Sequence, residues 1–374
     1  MRIALYLNNL WGISATARIA HMLAKEFKKN NNEVIFVINK PPVEIAQEFP
    51  IRVLKKKGEL LKAFELSKLC VEENIDVVLS FMRPQSNVSG LANRFFNRRR
   101  TAFIGSIHNS DNYLTYNKIY QLPYRYLEKW LLESNDKIVA VSNSVKKDLE
   151  EAFFINPQKV EVIYNPIDVN LIRQKAEEPI EPHLEELFKK HPVIVNVARM
   201  ETQKGLHHLI NIFERVNKKL PQTRLVLIGD GSLRRDLENQ VLQKGLKDKV
   251  FFLGWRENPF PYVARSKVFA LTSLWEGLAM VMLESFSLGV PIVAFKTRGG
   301  HVEVLENCCP LIEYPNENLY AETLIKILSD KSFHKKLQEK VLEKVKSFHS
   351  EVIASKYLAL FEKVVKVKRK KFQD

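Results

Sequence analysis

The chain has 374 residues, of which 45% are hydrophobic and 27% charged, with 13 glycines and 16 prolines. These values exclude a fibrous, low-complexity or disordered chain and allow two domains with separate cores. The net charge of +15, from 58 basic and 43 acidic residues, calls for an anionic partner. Three cysteines, Cys70, Cys308 and Cys309, are too few for a disulfide framework and indicate a reducing compartment.

Strand and helix patterns alternate along the first half of the chain. The predicted strands are 2–7, 33–38, 76–80, 101–106 and 137–142, each followed by a helical or loop segment. Such alternation predicts a doubly wound parallel sheet. We expect residues 1–172 to form an N-terminal Rossmann-like domain, with a C-terminal helix over about 350–374 packing back on it.

A second series of strands follows residues 173–192, which are rich in Glu, Lys and Pro and predict a linker with one short helix. Its predicted strands are 193–197, 224–229, 250–253, 268–272 and 291–295. We expect residues 193–349 to form a second Rossmann-like domain. Because open α/β sheets bind ligands at the carboxyl ends of their strands, the two domains predict a deep cleft with a ligand between them.

Two glutamates lie where carboxylates are energetically costly. Glu276 follows a predicted buried strand over 266–273, and Glu284 is nearly the only charge in a predicted apolar helix over 279–288. A buried carboxylate needs a partner. Glu276 is expected at the helix N-terminus, with Glu284 about two turns further along. Helix capping would explain Glu276 alone, and a salt bridge would explain Glu284 alone. The two together at the carboxyl end of a strand favour a ligand site.

Cations and glycines follow other predicted strands. Arg199 and Lys204 stand at a strand-to-helix turn, where they can hold a diphosphate, although loop cations are usually only solvated. Gly299–Gly300 exposes backbone amides in a similar turn. The turn 228–232 lacks the full dinucleotide fingerprint and the P-loop residues. His108 follows another strand and is either a cleft residue or a structural histidine.

Basic residues cluster at 55–57, 94–100 and 364–372, and aromatic residues are mixed with cations at 94–100 and 113–130. No nucleic-acid-binding signature contains these clusters, so nucleic acid is not a predicted partner. Mixed basic and aromatic residues suit an anionic membrane surface, and a solvated basic face is the alternative. No apolar run reaches the roughly 20 residues of a membrane span, so a soluble or peripheral protein is expected.

Five segments, taken in order, resemble the family 4 retaining glycosyltransferases of GT-B fold. They are 196–205 (NVARMETQKG), 225–231 (LVLIGDG), 252–254 (FLG), 276–285 (EGLAMVMLES) and 289–294 (GVPIVA), with weaker agreement at 137–142 and 162–168. The chain looks most like bacterial enzymes that extend surface polysaccharides or lipid-linked oligosaccharides. The implied fold is two Rossmann-like domains facing each other across a deep cleft.

The resemblance also implies roles for matching residues. Arg199 and Lys204 would hold the donor diphosphate, and Glu284 would bind the ribose hydroxyls. Glu276 would contact the donor sugar, with His108 beside that sugar from the other domain. The remaining donor-binding positions would be the amides of Gly277, Leu278, Ala279 and Met280, and Gly254 and Trp255 beside the base.

The implied reaction moves a hexose or N-acetylhexosamine, with retention, from a nucleotide diphosphate sugar to a glycan or lipid-linked acceptor. UDP is the favoured nucleotide. The product would belong to bacterial surface polysaccharide, lipopolysaccharide or glycoprotein glycans. No Asp-x-Asp motif is apparent, so neither a metal nor another cofactor is predicted. Front-face attack and double displacement through Glu276 both remain open.

The first loop departs from the family pattern. Where the family usually has Gly-Gly-x-Glu-Arg, this chain has Ser14, Ala15 and Arg18, with one glycine displaced to Gly12. The acceptor or donor preference of the N-terminal domain is therefore open. Two other functions stay open as well, a nucleotide-sugar epimerase of the same architecture and a non-catalytic sugar-nucleotide binding protein. The expected location is cytoplasmic, peripheral on the inner membrane.

Overall fold

The computed structural model describes residues 1–12, 14–97, 101–108 and 121–370, divided between two compact units. Unit 1 comprises Met1–Ile167 and Phe348–Asp374, and unit 2 comprises Asp168–Ser347. Residues 173–192, expected to be a linker, therefore belong to unit 2. Parts of the basic and aromatic segments, at 98–100, 113–120 and 371–372, lie outside the described residues.

Unit 1 contains a parallel sheet of seven described strands, namely β1 (Arg2–Leu7), β2 (Glu33–Ile38), β3 (Ile51–Val53), β4 (Val77–Phe81), β5 (Ala102–Ile107), β6 (Lys137–Ala140) and β7 (Val160–Val162). Their order in the sheet is β3-β2-β1-β4-β5-β6-β7. The helices are α1 (Ala15–Lys29), α2 (Glu59–Glu72), α3 (Arg83–Leu91), α4 (Leu122–Glu133) and α5 (Asn143–Phe153), with a π-helix (Ala92–Phe96) and a C-terminal helix (Ser350–Lys370). The central strands are buried along almost their whole length, as expected where helices cover both faces of a parallel sheet.

The C-terminal helix packs on the remainder of unit 1. The Phe27 ring of α1 lies 6.5 Å from the Tyr357 ring and 5.6 Å from the Phe361 ring. Further along, Lys368 Nζ lies 2.6 Å from an Asp136 oxygen, and Arg369 pairs with Asp76 at 3.0 Å. These two cations of the basic tail therefore anchor the helix by ion pairs within unit 1.

The described strands of unit 2 are β8 (Val193–Val197), β9 (Arg224–Ile228), β10 (Val250–Gly254), β11 (Val268–Leu271), β12 (Trp275–Glu276), β13 (Ile292–Lys296), β14 (Arg298–Gly299) and β15 (Leu311–Glu313). Six of them form a parallel sheet in the order β10-β9-β8-β11-β13-β15, and β12 and β14 form a two-stranded ladder. The helices are α6 (Val169–Ala176), α7 (Pro182–Lys190), α8 (Leu206–Lys219), α9 (Arg234–Gln243), α10 (Phe260–Ala264), α11 (Met280–Ser287), α12 (Gly300–Leu305), α13 (Glu317–Ser329) and α14 (Lys331–Val345).

The core of unit 2 lies between this sheet and its helices. Phe213 of α8, Phe295 of β13 and Tyr320 of α13 are fully buried within it. Their burial fixes the sheet, so the loops that leave the carboxyl ends of its strands start from a rigid base. No helix in the described ranges is both long and apolar enough to cross a bilayer.

Candidate functional site

The loop that carries Arg199 is fixed by the neighbouring glycine-rich turn. Backbone hydrogen bonds join Ala198 N to Ile228 O (2.9 Å) and Met200 N to Asp230 O (2.8 Å). Gly229 has a φ of +128°, and a Cβ there would lie 2.0 Å from the Ala198 carbonyl oxygen. The glycine therefore permits close backbone packing. This packing positions the exposed Arg199 side chain at the carboxyl end of β8.

Gly254 ends β10, and Trp255 begins the loop that follows it at the same edge of the sheet. Gly229 N donates to the Gly254 carbonyl oxygen at 2.8 Å, which ties the loops after β9 and β10 together. Gly254 adopts a φ of +69°, and Trp255 is 57% exposed. An exposed indole beside these loops is available to contact a flat ligand.

Lys204 is held by the loop that follows β11. Thr272 Oγ1 donates to the Lys204 carbonyl oxygen (3.0 Å), and Leu274 N donates to the Gln203 carbonyl oxygen (2.8 Å). Gly205, which precedes α8, has a φ of +57°, and a Cβ there would lie 2.3 Å from the Thr272 carbonyl oxygen. Only glycine fits this contact, which brings the lysine close to the strand bearing Glu276.

Glu276 forms an ion pair with Lys204. Lys204 Nζ lies 2.5 Å from Glu276 Oε1, and the two side chains are 17% and 8% exposed. Capping of α11, the alternative explanation for Glu276, does not apply, because Ala279 occupies the N-cap position and Glu276 lies in β12, paired with Gly299 of β14. The Lys204 ammonium is thus the partner that the buried Glu276 carboxylate requires.

His301 lies beneath this ladder and was not identified from the sequence. Its side chain is fully buried, and Nε2 donates to the Phe295 carbonyl oxygen at 3.1 Å. Burial lowers the pKa of His301, and the hydrogen bond to Phe295 and the charge of Glu276 offset this shift only in part. A Cβ on Gly299 would lie 2.5 Å from the Glu276 carbonyl oxygen and 2.8 Å from His301 Nδ1. The one sequence signal was a histidine directly after Gly299–Gly300.

Glu284 lies on α11, which begins close to Glu276 in the chain. The glutamate is 8% exposed, and its helix is otherwise apolar apart from two buried serines. The turn before the helix, from Gly277 to Ala279, is tied to the next loop because Gly300 N donates to the Gly277 carbonyl oxygen at 2.8 Å. Leu278 and Ala279 are buried there, and Met280 is half-buried.

His108 belongs to unit 1, where it is buried at the end of β5. Its ring stacks on Phe81 with centroids 5.5 Å apart, and Nε2 lies 3.0 Å from Ser106 Oγ. Burial lowers its pKa to about 4, and the neighbouring Asn165 side chain offsets that shift only in part. His108 Nδ1 and Asn165 Oδ1 are buried without a partner of hydrogen-bond geometry in the described part of the chain. The ring is therefore neutral at pH 7.

The first loop of unit 1 starts a helix. Ser14 Oγ accepts from Ala17 N (3.4 Å) and caps α1, while Ala15 and Arg18 lie exposed on its first turn. Gly12 N donates to Glu44 Oε2 at 2.9 Å. Ser14 is thus fixed by a capping role that its residue type favours.

A cavity of about 190 Å³ opens beside this loop. Its lining consists of polar uncharged, aromatic and apolar side chains, namely Leu7, Asn8, Asn9, Trp11, Ser14, Thr16, Phe81, Met82 and Gln85. Amides and hydroxyls beside an exposed indole suit a polar, uncharged ligand such as a sugar ring. The sequence did not predict this cavity, because its residues come from two separate segments of the chain, 7–16 and 81–85.

Two family models match the chain, "Glycosyltransferase Family 4" over residues 16–171 and "Glycosyl transferases group 1" over residues 179–344. A Campylobacter jejuni relative, N-acetylgalactosamine-N,N'-diacetylbacillosaminyl-diphospho-undecaprenol 4-alpha-N-acetylgalactosaminyltransferase, is 30% identical over 294 residues, or 78% of each chain. An Escherichia coli relative, UDP-Gal:alpha-D-GlcNAc-diphosphoundecaprenol alpha-1,3-galactosyltransferase, is 25% identical and covers 75% of this chain and 73% of its own.

Solved structures agree in fold. The structure of Anabaena HepE in complex with UDP has a TM-score of 0.80 at 18% identity, covering 97% of this chain and 100% of HepE. A glycosyltransferase from Rickettsia africae has a TM-score of 0.78 at 20% identity, covering 98% of both chains. The predicted fold class, GT-B with two Rossmann-like domains, is confirmed. The chain belongs to the family 4 glycosyltransferases.

Proposed function

We propose that this glycosyltransferase moves a hexose or N-acetylhexosamine from a UDP-sugar to a glycan or lipid-linked acceptor of a bacterial surface polysaccharide or related glycan. The Lys204–Glu276 pair on unit 2 carries the proposal, because it combines a phosphate-binding cation with a hydroxyl-binding carboxylate. The names of the C. jejuni and E. coli relatives specify diphospho-undecaprenol-linked acceptors, and HepE was solved with UDP. An epimerase or a non-catalytic binding protein is not favoured.

The loops of unit 2 supply groups for each part of a donor. Arg199 is exposed, and its guanidinium can donate two hydrogen bonds to the diphosphate, with Lys204 as a second cation. Glu276 would accept hydrogen bonds from the sugar hydroxyls, and Glu284 from the ribose hydroxyls. The amides from Gly277 to Met280 would add donors to sugar and phosphate. Gly254 and Trp255 would border the base.

Arg199 and Lys204 can stabilise the negative charge that develops on the departing nucleotide diphosphate, so the proposed reaction needs no metal. We favour front-face attack with retention. In that step the bond from the anomeric carbon to the phosphate oxygen breaks, the acceptor oxygen bonds on the same face, and its proton passes to the leaving phosphate. Pairing with an ammonium makes Glu276 a weaker nucleophile, which disfavours double displacement. The role of His108 beside the donor sugar stays a prediction.

The acceptor is proposed to present an uncharged sugar to the cavity beside Trp11. A lipid-linked acceptor would require the enzyme to work at a membrane surface, and the net charge of +15 suits an anionic one. We therefore propose a peripheral enzyme on the cytoplasmic face of the inner membrane.

Nucleotide binding tests the donor half of the proposal. Calorimetric titration with UDP, GDP and ADP should show the tightest binding for UDP. Arg199→Ala, Lys204→Ala and Glu284→Ala should each weaken UDP binding by about tenfold, since each removes a charge-assisted hydrogen bond. Lys219→Ala, an exposed lysine at the end of α8, is the matched control and should bind as the unaltered protein does. Equal UDP affinity in all four variants would refute the assigned donor site.

A further inference from the structure

Helix α4 of unit 1 buries two of its charged residues and exposes several apolar and aromatic ones, although Leu131 and Leu132 also lie in the interior. Arg125 and Glu128 are each only 6% exposed. The Arg125 guanidinium donates to the backbone carbonyl oxygens of Glu151 and Ala152, and Glu128 accepts from Asn87 Nδ2 at 3.1 Å. The exposed residues of the helix are apolar or aromatic, namely Pro123, Tyr124, Tyr126, Leu127 and Trp130.

Aromatic contacts join this face to two neighbouring elements. The Trp130 ring lies 5.9 Å from the Phe95 ring of the π-helix, and Phe96 links Phe95 (6.3 Å) to Phe64 of α2 (5.5 Å). The resulting aromatic surface consists of residues that are each between 41% and 56% exposed: Leu60, Leu61, Phe64, Phe95, Tyr126, Leu127 and Trp130. Within α2 and within α4 these residues are spaced three or four positions apart, so they share one face of each helix, and the ring contacts connect the two faces. Exposed apolar side chains grouped in this way mark an interaction site.

Cations border the aromatic surface. Lys55–Lys57 are exposed directly before α2, Arg94 is exposed directly before Phe95, and Lys68 is exposed on α2. Of the acidic groups on α2, Glu59 is exposed, Glu65 accepts from the backbone amides of Lys55 and Lys56, and Glu72 is exposed but pairs with Lys68 at 3.5 Å. The exposed border therefore carries five cations and two carboxylates.

We propose that the aromatic surface is the membrane-binding face of the enzyme and lies in the headgroup region of an anionic bilayer. Tryptophan and tyrosine favour this region because one part of each ring system is apolar and another forms hydrogen bonds. The cationic border meets anionic headgroups while the leucines and phenylalanines enter the acyl boundary. A second copy of the chain is disfavoured as the occupant, because a net charge of +15 and two such borders would repel.

This inference rests on the proposed peripheral location, and vesicle sedimentation tests it. The unaltered protein should sediment with phosphatidylcholine vesicles that contain phosphatidylglycerol, and less with phosphatidylcholine alone. Leu61→Gln and Leu127→Gln should each weaken binding several-fold, and Phe95→Ser with Trp130→Ser by about tenfold or more. Leu242→Gln is the matched control, because Leu242 is as exposed as Leu61 but lies on α9 of unit 2.

Equal vesicle binding by the surface variants and the control would overturn the assignment while leaving a peripheral enzyme possible. If the unaltered protein forms a dimer and the same substitutions dissociate it, the surface binds a second copy of the chain, and the membrane assignment is also overturned. If the unaltered protein does not bind vesicles, the peripheral location fails as well. Sugar transfer to a water-soluble acceptor is measured in the same variants. The surface variants should retain this activity, so failure of the membrane assignment can be distinguished from failure of the glycosyltransferase proposal.

Discussion

Lys204 Nζ lies 2.5 Å from Glu276 Oε1, so the proposed diphosphate-binding cation and the proposed sugar-binding carboxylate form one ion pair. A donor that enters this site must share the ammonium with the carboxylate. Both residues lie on short segments fixed by hydrogen bonds. The Thr272 hydroxyl donates to the Lys204 carbonyl oxygen, and Glu276 pairs with Gly299 in the ladder of β12 and β14. The pair is therefore organised before a donor arrives.

Breaking this pair should cost both stability and activity. Lys204→Met leaves a buried carboxylate without its cation and should lower the free energy of unfolding by about 3 kcal/mol. Adding Glu276→Gln should recover part of that loss, because the unpaired charge is removed. Urea unfolding of the two single variants and the double variant measures the coupling. Strictly additive effects would show that the contact contributes nothing to stability.

Gly205→Ala should disrupt the position of Lys204. The added Cβ would lie 2.3 Å from the Thr272 carbonyl oxygen at a φ of +57°, so the loop must move. Gly245→Ala is the matched control, with a φ of +66° and no atom within 4 Å of the added Cβ. We expect about 1 kcal/mol of backbone strain in the control and at least twice that in Gly205→Ala. Only Gly205→Ala should also weaken UDP binding; similar losses in both would mean that the close contact is unimportant.

The stability of the protein should depend on pH through His108. Its pKa is about 4 in the folded protein and near 6.5 when unfolded, so the unfolded state binds more protons between these values. The free energy of unfolding should therefore fall as pH decreases from 6.5 towards 4, by up to about 3 kcal/mol from this group. Urea midpoints at pH 7 and pH 5 should differ less for His108→Gln than for the unaltered protein. An unchanged difference would mean that His108 is not neutral and buried.

Trp11 and Trp255, which are both exposed, should affect different substrates. Trp11→Ala removes the indole beside the cavity of unit 1 and should raise the acceptor KM by about tenfold, with little change in the donor KM. Trp255→Ala should do the reverse, because Trp255 is proposed to border the nucleotide base. Initial rates at varied donor and acceptor concentrations distinguish the two effects. If Trp11→Ala raises only the donor KM, the acceptor assignment is wrong.

Much of the fold could be predicted because hydrophobic periodicity reports local structure. The ten predicted strands correspond to observed strands within one or two residues, as at β1 and β8. Short strands such as β12 and β14 were missed, because two residues carry no periodic signal and are held by backbone pairing with a distant segment. Residues 173–192 were expected to be a linker, since their composition is charged, whereas two helices pack them into unit 2.

The sequence indicates which residues belong to the candidate site, but it indicates only some of the contacts between them. Arg199, Lys204, Glu276 and Glu284 were chosen from their places after predicted strands and from the family resemblance. The ion pair within that set could not be predicted, because it depends on how closely the loop at Gly205 approaches Thr272. His301 and the cavity beside Trp11 were missed for the same reason, since tertiary contacts alone bring their groups together.

Sugar transfer tests the central claim most directly. The protein is incubated with α-configured UDP-sugars and an undecaprenyl-diphosphate-linked saccharide, with UDP release and the anomeric configuration of the product as readouts. We predict acceptor-dependent UDP release and an α-linked product, lost in Lys204→Ala and unaffected by chelation of divalent metals. A β-linked product, or conversion of the donor into another sugar nucleotide without acceptor, would contradict the account.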